Sequence, residues 1–164
     1  MGLKFNRVSD FKRGTLVGLL SEAYSFDKKY ENANIGRWSD DDKFFFDNPQ
    51  IADMCGFITT LSDEPIGFAF WDPRNMPEYA IIGDNCIIPK HKGKGYGKLQ
   101  LQEAINRITR NNVKRIFVST DNGLIPAQRM YESAGFVKLD TSSLETWQIS
   151  QNADIYYGMD IRVV

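Results

Sequence analysis

The sequence predicts one domain, residues 1–164, with a mixed α/β fold around a single sheet. Its length and its 42% hydrophobic content are ordinary for one compact domain with a buried core. Apolar side chains repeat with helical spacing in some stretches, and short apolar or alternating runs typical of strands fill most of the others. The predicted order of elements is βααβββαβαββ, without an internal repeat or a linker.

The N-terminal third predicts a strand and two helices. Residues 3–7 alternate apolar and polar side chains, as in a half-buried strand, and Ser9 or Asp10 then offers a helix N-cap. The first helix has a core face at the spacing i, i+3, i+4 and i+7, formed by Leu16, Leu19, Leu20 and Ala23. A second helix is predicted to begin at Ser39, whose hydroxyl can cap it, and to end at Pro49.

Strands dominate the chain from residue 55 onward. Residues 55–71 contain two apolar runs separated by a Ser-Asp-Glu-Pro turn, which predicts an antiparallel hairpin. Residues 79–88 form a largely apolar third strand, typical of a sheet covered on both faces. Further strands are predicted at residues 115–119 and from Phe136. A last strand is expected to have one apolar face, formed by Ile155, Tyr157, Met159, Ile161 and Val163.

The loop of residues 89–98, Pro-Lys-His-Lys-Gly-Lys-Gly-Tyr-Gly-Lys, is the segment most informative about function. It joins the third strand to a helix whose predicted core face comprises Leu101, Ala104, Ile105 and Ile108. Alternating glycines let the backbone approach a ligand with exposed N–H groups, and the first helical turn adds more N–H groups and the positive end of the helix dipole. We therefore expect a phosphate or pyrophosphate to bind Lys92, Gly93, Lys94, Gly95, Tyr96, Gly97 and Lys98. The alternative is a flexible, solvated connection.

Two common phosphate-binding motifs do not fit this loop. A P-loop requires Ser or Thr after Gly-Lys, and Gly97-Lys98 is followed by Leu99. A dinucleotide-binding fingerprint spaces its glycines G-x-G-x-x-G, whereas the spacing here is G-x-G-x-G after a hairpin in the middle of the chain. Nucleotide hydrolysis and NAD binding are therefore not expected.

Lys92-x-x-Gly95-x-Gly97 resembles the acetyl-CoA loop of the GNAT superfamily of N-acetyltransferases, which reads Gln/Arg-x-x-Gly-x-Gly/Ala after a strand. The departure is Lys92, which lacks a guanidinium fork. Tyr131-x-x-x-Gly135-Phe136 is similar to a second segment of that family. The resemblance implies a mostly antiparallel central sheet flanked by about four helices. It also implies acetyl-CoA as co-substrate, and acetyl transfer to a primary amine of a small molecule or peptide by direct attack in a ternary complex.

The resemblance also implies roles for individual residues. Backbone groups near Ile87 and Ile88 would pair with the pantetheine arm, beside a strand that diverges from its neighbour. The family usually has Asn seven residues before the tyrosine; here that position is Leu124, and Asn122 would make this contact if the turn is longer by two residues. Tyr131 corresponds to the general acid that protonates the leaving thiolate; the alternative is an aromatic side chain packed in the core.

A general base is needed, because a free amine is mostly protonated at neutral pH. Asp84 and Glu78, on or just before the third strand, are the candidates; a solvated or structural role is the alternative for each. A backbone N–H of this strand could stabilise the developing oxyanion. His91, the single histidine, is expected at the surface and outside the chemistry.

The N-terminal helices flank the acceptor site in this family. Trp38 and residues 44–46 could border it, or could pack on a helix face. Residues 40–42, three aspartates, could attract a cationic acceptor, although the capping of their own helix is the favoured interpretation.

Composition limits the partners and the location. A formal net charge of −1 gives no chain-wide positive field, so neither nucleic acid nor a membrane is an expected partner. Cys55 and Cys86 lie in apolar surroundings without metal-ligand spacing, which predicts structural free thiols and no metal. The sequence shows neither a signal peptide nor a membrane-spanning stretch, which predicts a cytoplasmic protein, either monomeric or homodimeric.

Two other functions remain compatible with the sequence. The first is a module that binds acyl-CoA without turnover, since the base is uncertain and Asn122 is displaced. The second is a small RNA-binding domain that uses the lysine-glycine loop, with Tyr96 for base stacking, although the acidity of the chain disfavours it.

Overall fold

The computed structural model describes residues 2–161. Within that range the chain forms seven strands: β1 (Leu3–Asn6), β2 (Gly56–Leu61), β3 (Glu64–Asp72), β4 (Ala80–Ile87), β5 (Arg115–Thr120), β6 (Val137–Lys138) and β7 (Ile155–Asp160). The same residues contain six α-helices: α1 (Thr15–Ala23), α2 (Lys28–Asp47), α3 (Pro49–Cys55), α4 (Tyr96–Thr109), α5 (Ile125–Ser133) and α6 (Thr141–Thr146). Val163, predicted in the last strand, lies outside the described residues.

The strands form a sheet in the order β1-β2-β3-β4-β5-β7-β6. The pairs β1–β2, β2–β3, β5–β7 and β6–β7 are antiparallel, whereas β4 and β5 are parallel. The predicted mixed α/β fold with a mostly antiparallel sheet is therefore confirmed. The short helices α3 and α6 are additional to the predicted order. Pro49 opens α3 as well as following α2, and the Asp140 side chain caps α6.

The chain divides into two compact units, of which the first comprises the residues up to Phe70 together with Asp84–Ala104. The predicted hairpin of β2 and β3 is present, and its turn places Ser62 and Asp63 at positive φ, 50° and 67°. Such a turn matches the twist of the flanking strands. The largest fully buried side chains of this unit include Leu16, Leu20, Trp38, Phe57, Ile58, Ile66, Phe68 and Leu101.

The second unit comprises Trp71–Gly83 and the residues from Ile105 onward. Its β5 pairs with β7 along the full length of both strands, from Arg115–Asp160 to Thr120–Ile155. The parallel ladder between β4 and β5 is shorter and covers Ala80–Ile82 of β4. Its largest fully buried side chains are Ile108, Ile116, Phe117 and Tyr157.

The predicted core faces of α1 and α4 are confirmed, because all eight of their apolar side chains are buried. The predicted start of each N-terminal helix is wrong. Residues Val8–Asp10 form a separate 3₁₀ turn, and Gly14 precedes α1 at a φ of 96°. The second helix begins eleven residues before Ser39, where the Asp27 side chain accepts from the Lys29 N–H at 2.9 Å. Ser39 lies inside this continuous helix and is therefore not its N-cap; Asp27 caps the helix instead.

Asp42, a residue of α2, caps α1. The residue is 3% exposed, and its carboxylate accepts from three backbone N–H groups, those of Gly14 at 2.9 Å, Leu16 at 3.0 Å and Val17 at 3.1 Å. Amide groups at a helix N-terminus have no carbonyl partner within their own helix. Asp42 therefore provides the acceptor for the N-terminal amide groups of α1, whereas it was predicted to cap its own helix.

We expect Asp42→Ala to lower the free energy of unfolding by about 3 kcal/mol, because three amide groups lose a charged acceptor. Urea unfolding followed by circular dichroism measures this change. Asp40→Ala removes an exposed carboxylate of the same helix and should change the free energy by less than about 0.5 kcal/mol. Equal effects of the two substitutions would contradict the capping role.

Both cysteines are buried free thiols, as predicted. Burial raises the pKa of the Cys86 thiol well above its usual range, since a thiolate would be desolvated there. Cys86 is therefore unsuited to act as a nucleophile.

Candidate functional site

The loop before α4 has the backbone conformation that its glycines predict. Gly93 and Gly95 have φ values of 76° and 87°, which side-chain-bearing residues rarely adopt. A Cβ atom at either position would meet no atom within 4 Å, so the space beside the backbone is open. The Leu99 N–H donates to the Gly95 carbonyl at 3.2 Å, which places Gly95 at the N-terminus of α4.

The amide groups of this loop are available to a ligand. Among the described residues 2–161, the N–H groups of residues 93–98 have no backbone acceptor. The side chains of Lys94 and Lys98 are exposed in the same segment. Successive free amides, a helix N-terminus and two cations are the features that suit an anion such as a pyrophosphate. We call residues 93–98 the anion cradle.

Lys92 was predicted to face the phosphate, and the structure places its ammonium group elsewhere. Nζ donates to the Ala23 carbonyl at the C-terminus of α1, at 3.0 Å, and lies 5.4 Å from the centre of the Phe26 ring. Burial lowers the pKa of this amine. A cation at a helix C-terminus is favoured by the helix dipole. The side chain of Lys92 therefore stabilises α1, and the charge at the cradle comes from Lys94 and Lys98.

The backbone of Ile88 is already engaged. Its N–H donates to the Ile66 carbonyl at 2.8 Å, and its carbonyl accepts from the His91 N–H at 3.0 Å. Both backbone polar groups of Ile88 therefore have partners within the chain, and the predicted pairing of backbone groups near Ile88 with a pantetheine arm stays a prediction. The pairing of backbone groups near Ile87, the last residue of β4, with the pantetheine arm also stays a prediction.

The expectation that His91 lies at the surface is wrong. The side chain is 8% exposed, and within residues 2–161 neither ring nitrogen has a hydrogen-bond partner. Residues Pro89–His91 form a 3₁₀ turn, and the imidazole lies edge-on to the Tyr96 ring, with 6.2 Å between the centres. This tight turn after β4 directs the ring inward, which the polar composition of the loop did not indicate.

Asp84, on β4, lies in a charged cluster with two residues of α2. Arg37 Nη1 lies 3.7 Å from Asp84 Oδ1 and 3.5 Å from Asp41 Oδ2. Burial raises the pKa of Asp84, the Arg37 guanidinium lowers it, and the Asp41 carboxylate raises it again; the balance is upward. A carboxylate with a raised pKa is better matched to proton abstraction near neutral pH. Sequence reasoning missed Arg37, because no local motif marks it.

Glu78, the other candidate base, lies in an exposed ion pair. Its Oε1 lies 2.8 Å from Lys114 Nζ, and the two side chains are 57% and 63% exposed. Solvent screens such a pair, so it has little effect on stability. The surroundings of Glu78 are those of a solvated surface residue.

Tyr131 and Asn122 belong to the second unit. Tyr131 is 5% exposed on α5, and its ring centre lies 5.9 Å from those of Phe136 and Tyr157. Gly135 follows the helix at a φ of 103°, as predicted for the position after a helix end. Asn122 lies in the exposed turn before α5, where its N–H donates to Asp154 and its carbonyl accepts from Gln128. These bonds fix the backbone of the turn.

The aromatic residues proposed to border the acceptor site differ in their surroundings. Trp38 is 1% exposed and stacks on Tyr24, with 5.5 Å between ring centres. Phe45 stacks on Phe70 at 3.9 Å. Trp38 therefore packs in the core of the first unit, half-buried Phe45 covers Phe70, and Phe44 is 48% exposed.

Residues 17–136 match the model of the acetyltransferase (GNAT) family. Among curated proteins, no sequence matches the chain. No helix within residues 2–161 is both long enough and apolar enough to cross a membrane.

Many solved structures are similar to this chain. PaiA N-acetyltransferase from Thermoplasma acidophilum, crystallised with coenzyme A, has a TM-score of 0.80 and 14% identity over 98% of this chain and 100% of its own. A GNAT acetyltransferase from Staphylococcus aureus Mu50 has a TM-score of 0.73 and 16% identity, again over 98% and 100%. These two likenesses concern the fold. A candidate streptothricin acetyltransferase from Bacillus anthracis, bound to acetyl-coenzyme A, has a TM-score of 0.53 and 27% identity over 65% of this chain and 61% of its own.

Proposed function

Because the chain belongs to the acetyltransferase (GNAT) family, we propose that it moves an acetyl group from acetyl-CoA to a primary amine of a small molecule or peptide. The amine attacks the thioester directly in a ternary complex. The observation that carries this proposal is the anion cradle, where free amide groups and a helix N-terminus suit the pyrophosphate of coenzyme A.

Acetyl-CoA supplies the activated acyl group, and residues of the chain hold it. The amides of the anion cradle, with Lys94 and Lys98, bind the pyrophosphate. Backbone groups near Ile87 pair with the pantetheine arm, and Asn122 contributes if its side chain reaches that arm. Tyr131 donates a proton to the leaving thiolate; a phenol with a pKa of about 10 can do so at little cost, since a thiol has a pKa of about 8.5.

Asp84 is the better candidate for the general base. Its raised pKa and its position beside Arg37 and Asp41 contrast with the solvated ion pair of Glu78. The carboxylates of Asp41 and Asp84 also favour an acceptor that carries positive charge. The amine must lose a proton before it attacks, and Asp84 accepts that proton.

We expect the acid limb of the pH profile of kcat/KM to report the ionisation of Asp84. The base works when deprotonated, so a raised pKa of Asp84 moves this limb to higher pH. Arg37→Gln removes the group that lowers the pKa of Asp84, so the limb should move further upward. Asp41→Asn removes a group that raises the pKa of Asp84, so the limb should move to lower pH. Each of these two shifts should amount to at most about one pH unit.

Two further variants decide between the candidate bases. Asp84→Asn should abolish the acid limb, whereas Glu78→Gln should leave it in place. An acid limb that disappears in Glu78→Gln and persists in Asp84→Asn would show that the assignment of Asp84 is wrong.

The proposed function is tested by a thermal-shift screen with acetyl-CoA, coenzyme A and longer acyl-CoAs, followed by detection of free thiol with a panel of amines. We expect acetyl-CoA to raise the melting temperature, and at least one amine to release thiol. Binding without turnover on any amine would favour the binding module instead. The absence of any shift would remove the basis of the proposal.

We also propose a cytoplasmic location, since two free buried thiols fit a reducing compartment. Fractionation of cells that express the chain at its native level tests this.

A further inference from the structure

A chain of three polar side chains, two buried and one partly buried, connects β2, α4 and β4 within the first unit. The Thr59 hydroxyl donates to Gln100 Oε1 at 2.6 Å, and Gln100 is fully buried. Gln100 Nε2 lies 2.7 Å from Asn85 Oδ1. The helix that begins in the anion cradle is therefore connected, by its fifth residue, to the C-terminal half of β4.

Two backbone carbonyls fix the orientation of the Gln100 amide. Nε2 lies 3.0 Å from the carbonyl oxygens of Phe68 and Cys86, and a carbonyl oxygen can only accept. The Gln100 nitrogen must therefore face these carbonyls. Because that nitrogen donates and cannot accept, the neighbouring atom of Asn85 must be its oxygen. Both amide orientations follow from the hydrogen bonds alone.

The other end of the Asn85 amide has no partner. Its Nδ2 atom is buried, and within residues 2–161 no acceptor lies within hydrogen-bond distance of it. Buried donors without an acceptor are rare in folded proteins and call for a specific explanation. The surrounding chain holds this donor in place through Gln100, so the unpaired N–H group is not the result of a freely rotating side chain.

We propose that Asn85 Nδ2 donates a hydrogen bond to a carbonyl oxygen of the acyl-pantetheine arm of acetyl-CoA. This inference rests on the proposed function. Asn85 lies on β4 directly after the candidate base Asp84 and two residues before Ile87, where pairing with the pantetheine is expected. The acyl-pantetheine arm offers two kinds of carbonyl oxygen, that of the thioester and those of its amides. Both kinds of oxygen are hydrogen-bond acceptors.

Gln100 is the corresponding positioning residue. It contacts no ligand atom in this proposal and acts by holding Asn85 with Oδ1 towards Gln100, which leaves the buried Nδ2 without a partner. Gly67 belongs to the same arrangement, because a Cβ there would lie 2.1 Å from the Cys86 carbonyl and 3.0 Å from Gln100 Oε1.

Asn85→Ala is the main test. It removes the unpaired donor, and Gln100 still has two carbonyl acceptors for its two N–H groups, so no protein group loses its only partner. We expect the melting temperature to stay within a few degrees of that of the wild type and the dissociation constant of acetyl-CoA, measured by titration calorimetry, to rise about 3- to 10-fold. Asn32→Ala, at an exposed asparagine inside α2, is the matched control and should change neither quantity appreciably.

The same titration with coenzyme A, which lacks the thioester carbonyl, identifies the acceptor oxygen. If affinity for acetyl-CoA falls and affinity for coenzyme A does not, the acceptor is the thioester oxygen, and kcat should also fall, by about 100-fold. If both affinities fall equally, the acceptor is an amide oxygen of the pantetheine. Asn85→Asp replaces the donor by an acceptor while leaving an oxygen towards Gln100, and should weaken binding more than Asn85→Ala.

Unchanged affinity for acetyl-CoA in both variants would overturn the inference and leave the proposed function intact. A melting temperature that falls sharply while affinity is unchanged would also overturn it, since Asn85 would then have a structural role. A wild-type protein that binds neither acetyl-CoA nor coenzyme A would contradict the proposed function itself.

Discussion

Gly95→Glu is expected to weaken acetyl-CoA binding by more than about 100-fold, because the substitution places a carboxylate among the amide groups of the anion cradle. Two like charges about 4 Å apart repel by about 4 kcal/mol at an effective dielectric constant of 20, and every 1.4 kcal/mol is a factor of ten in affinity. Titration calorimetry with acetyl-CoA measures the loss.

The fold should survive this substitution. A Cβ at position 95 meets no atom within 4 Å, so no packing clash is introduced. The φ of 87° costs any side-chain-bearing residue about 1–2 kcal/mol, which lowers the melting temperature modestly. Gly95→Gln is the matched control, since it has the same shape and the same backbone strain without the charge.

We expect Gly95→Gln to melt at the same temperature as Gly95→Glu and to bind acetyl-CoA with intermediate affinity. Wild-type affinity in Gly95→Glu would show that the pyrophosphate lies elsewhere, and the assignment of the anion cradle would fail.

Tyr131→Phe is expected to lower kcat by about 100-fold while leaving the affinity for acetyl-CoA unchanged, because the variant loses the proton donor for the leaving thiolate. The phenyl ring keeps the aromatic contacts with Phe136 and Tyr157, so the core of the second unit should be preserved. Steady-state release of free thiol measures kcat, and calorimetry measures the affinity.

Tyr157→Phe is the matched control. Tyr157 is a buried tyrosine of the same unit, and its hydroxyl donates to Glu132 Oε1 at 3.1 Å. Its removal should lower stability by about 1 kcal/mol and leave kcat unchanged. If Tyr131→Phe retains wild-type turnover, its hydroxyl is not the acid and the residue is an aromatic of the core.

Part of the site could be predicted from the sequence because it depends on the backbone. Gly93 and Gly95 adopt the positive φ values that the absence of a side chain permits, and α4 follows them immediately. A strand, a glycine loop and a helix in succession expose amide groups wherever they occur. The side chains of the same loop could not be predicted, because Lys92 bonds to the end of α1, far away in sequence, and His91 is turned inward by the 3₁₀ turn that follows β4.

The sequence by itself determined the class of fold, the core faces of α1 and α4, and the conformation of the anion cradle, since each follows from local periodicity or from the geometry of glycine. Tertiary structure decided which polar side chains meet. Asp42 caps a helix that lies 25 or more residues away in sequence, Arg37 lies beside Asp84, and Gln100 orients Asn85. Hydrogen bonds and ion pairs between elements form only where packing brings their atoms within a few ångströms. Local sequence patterns do not determine these distances.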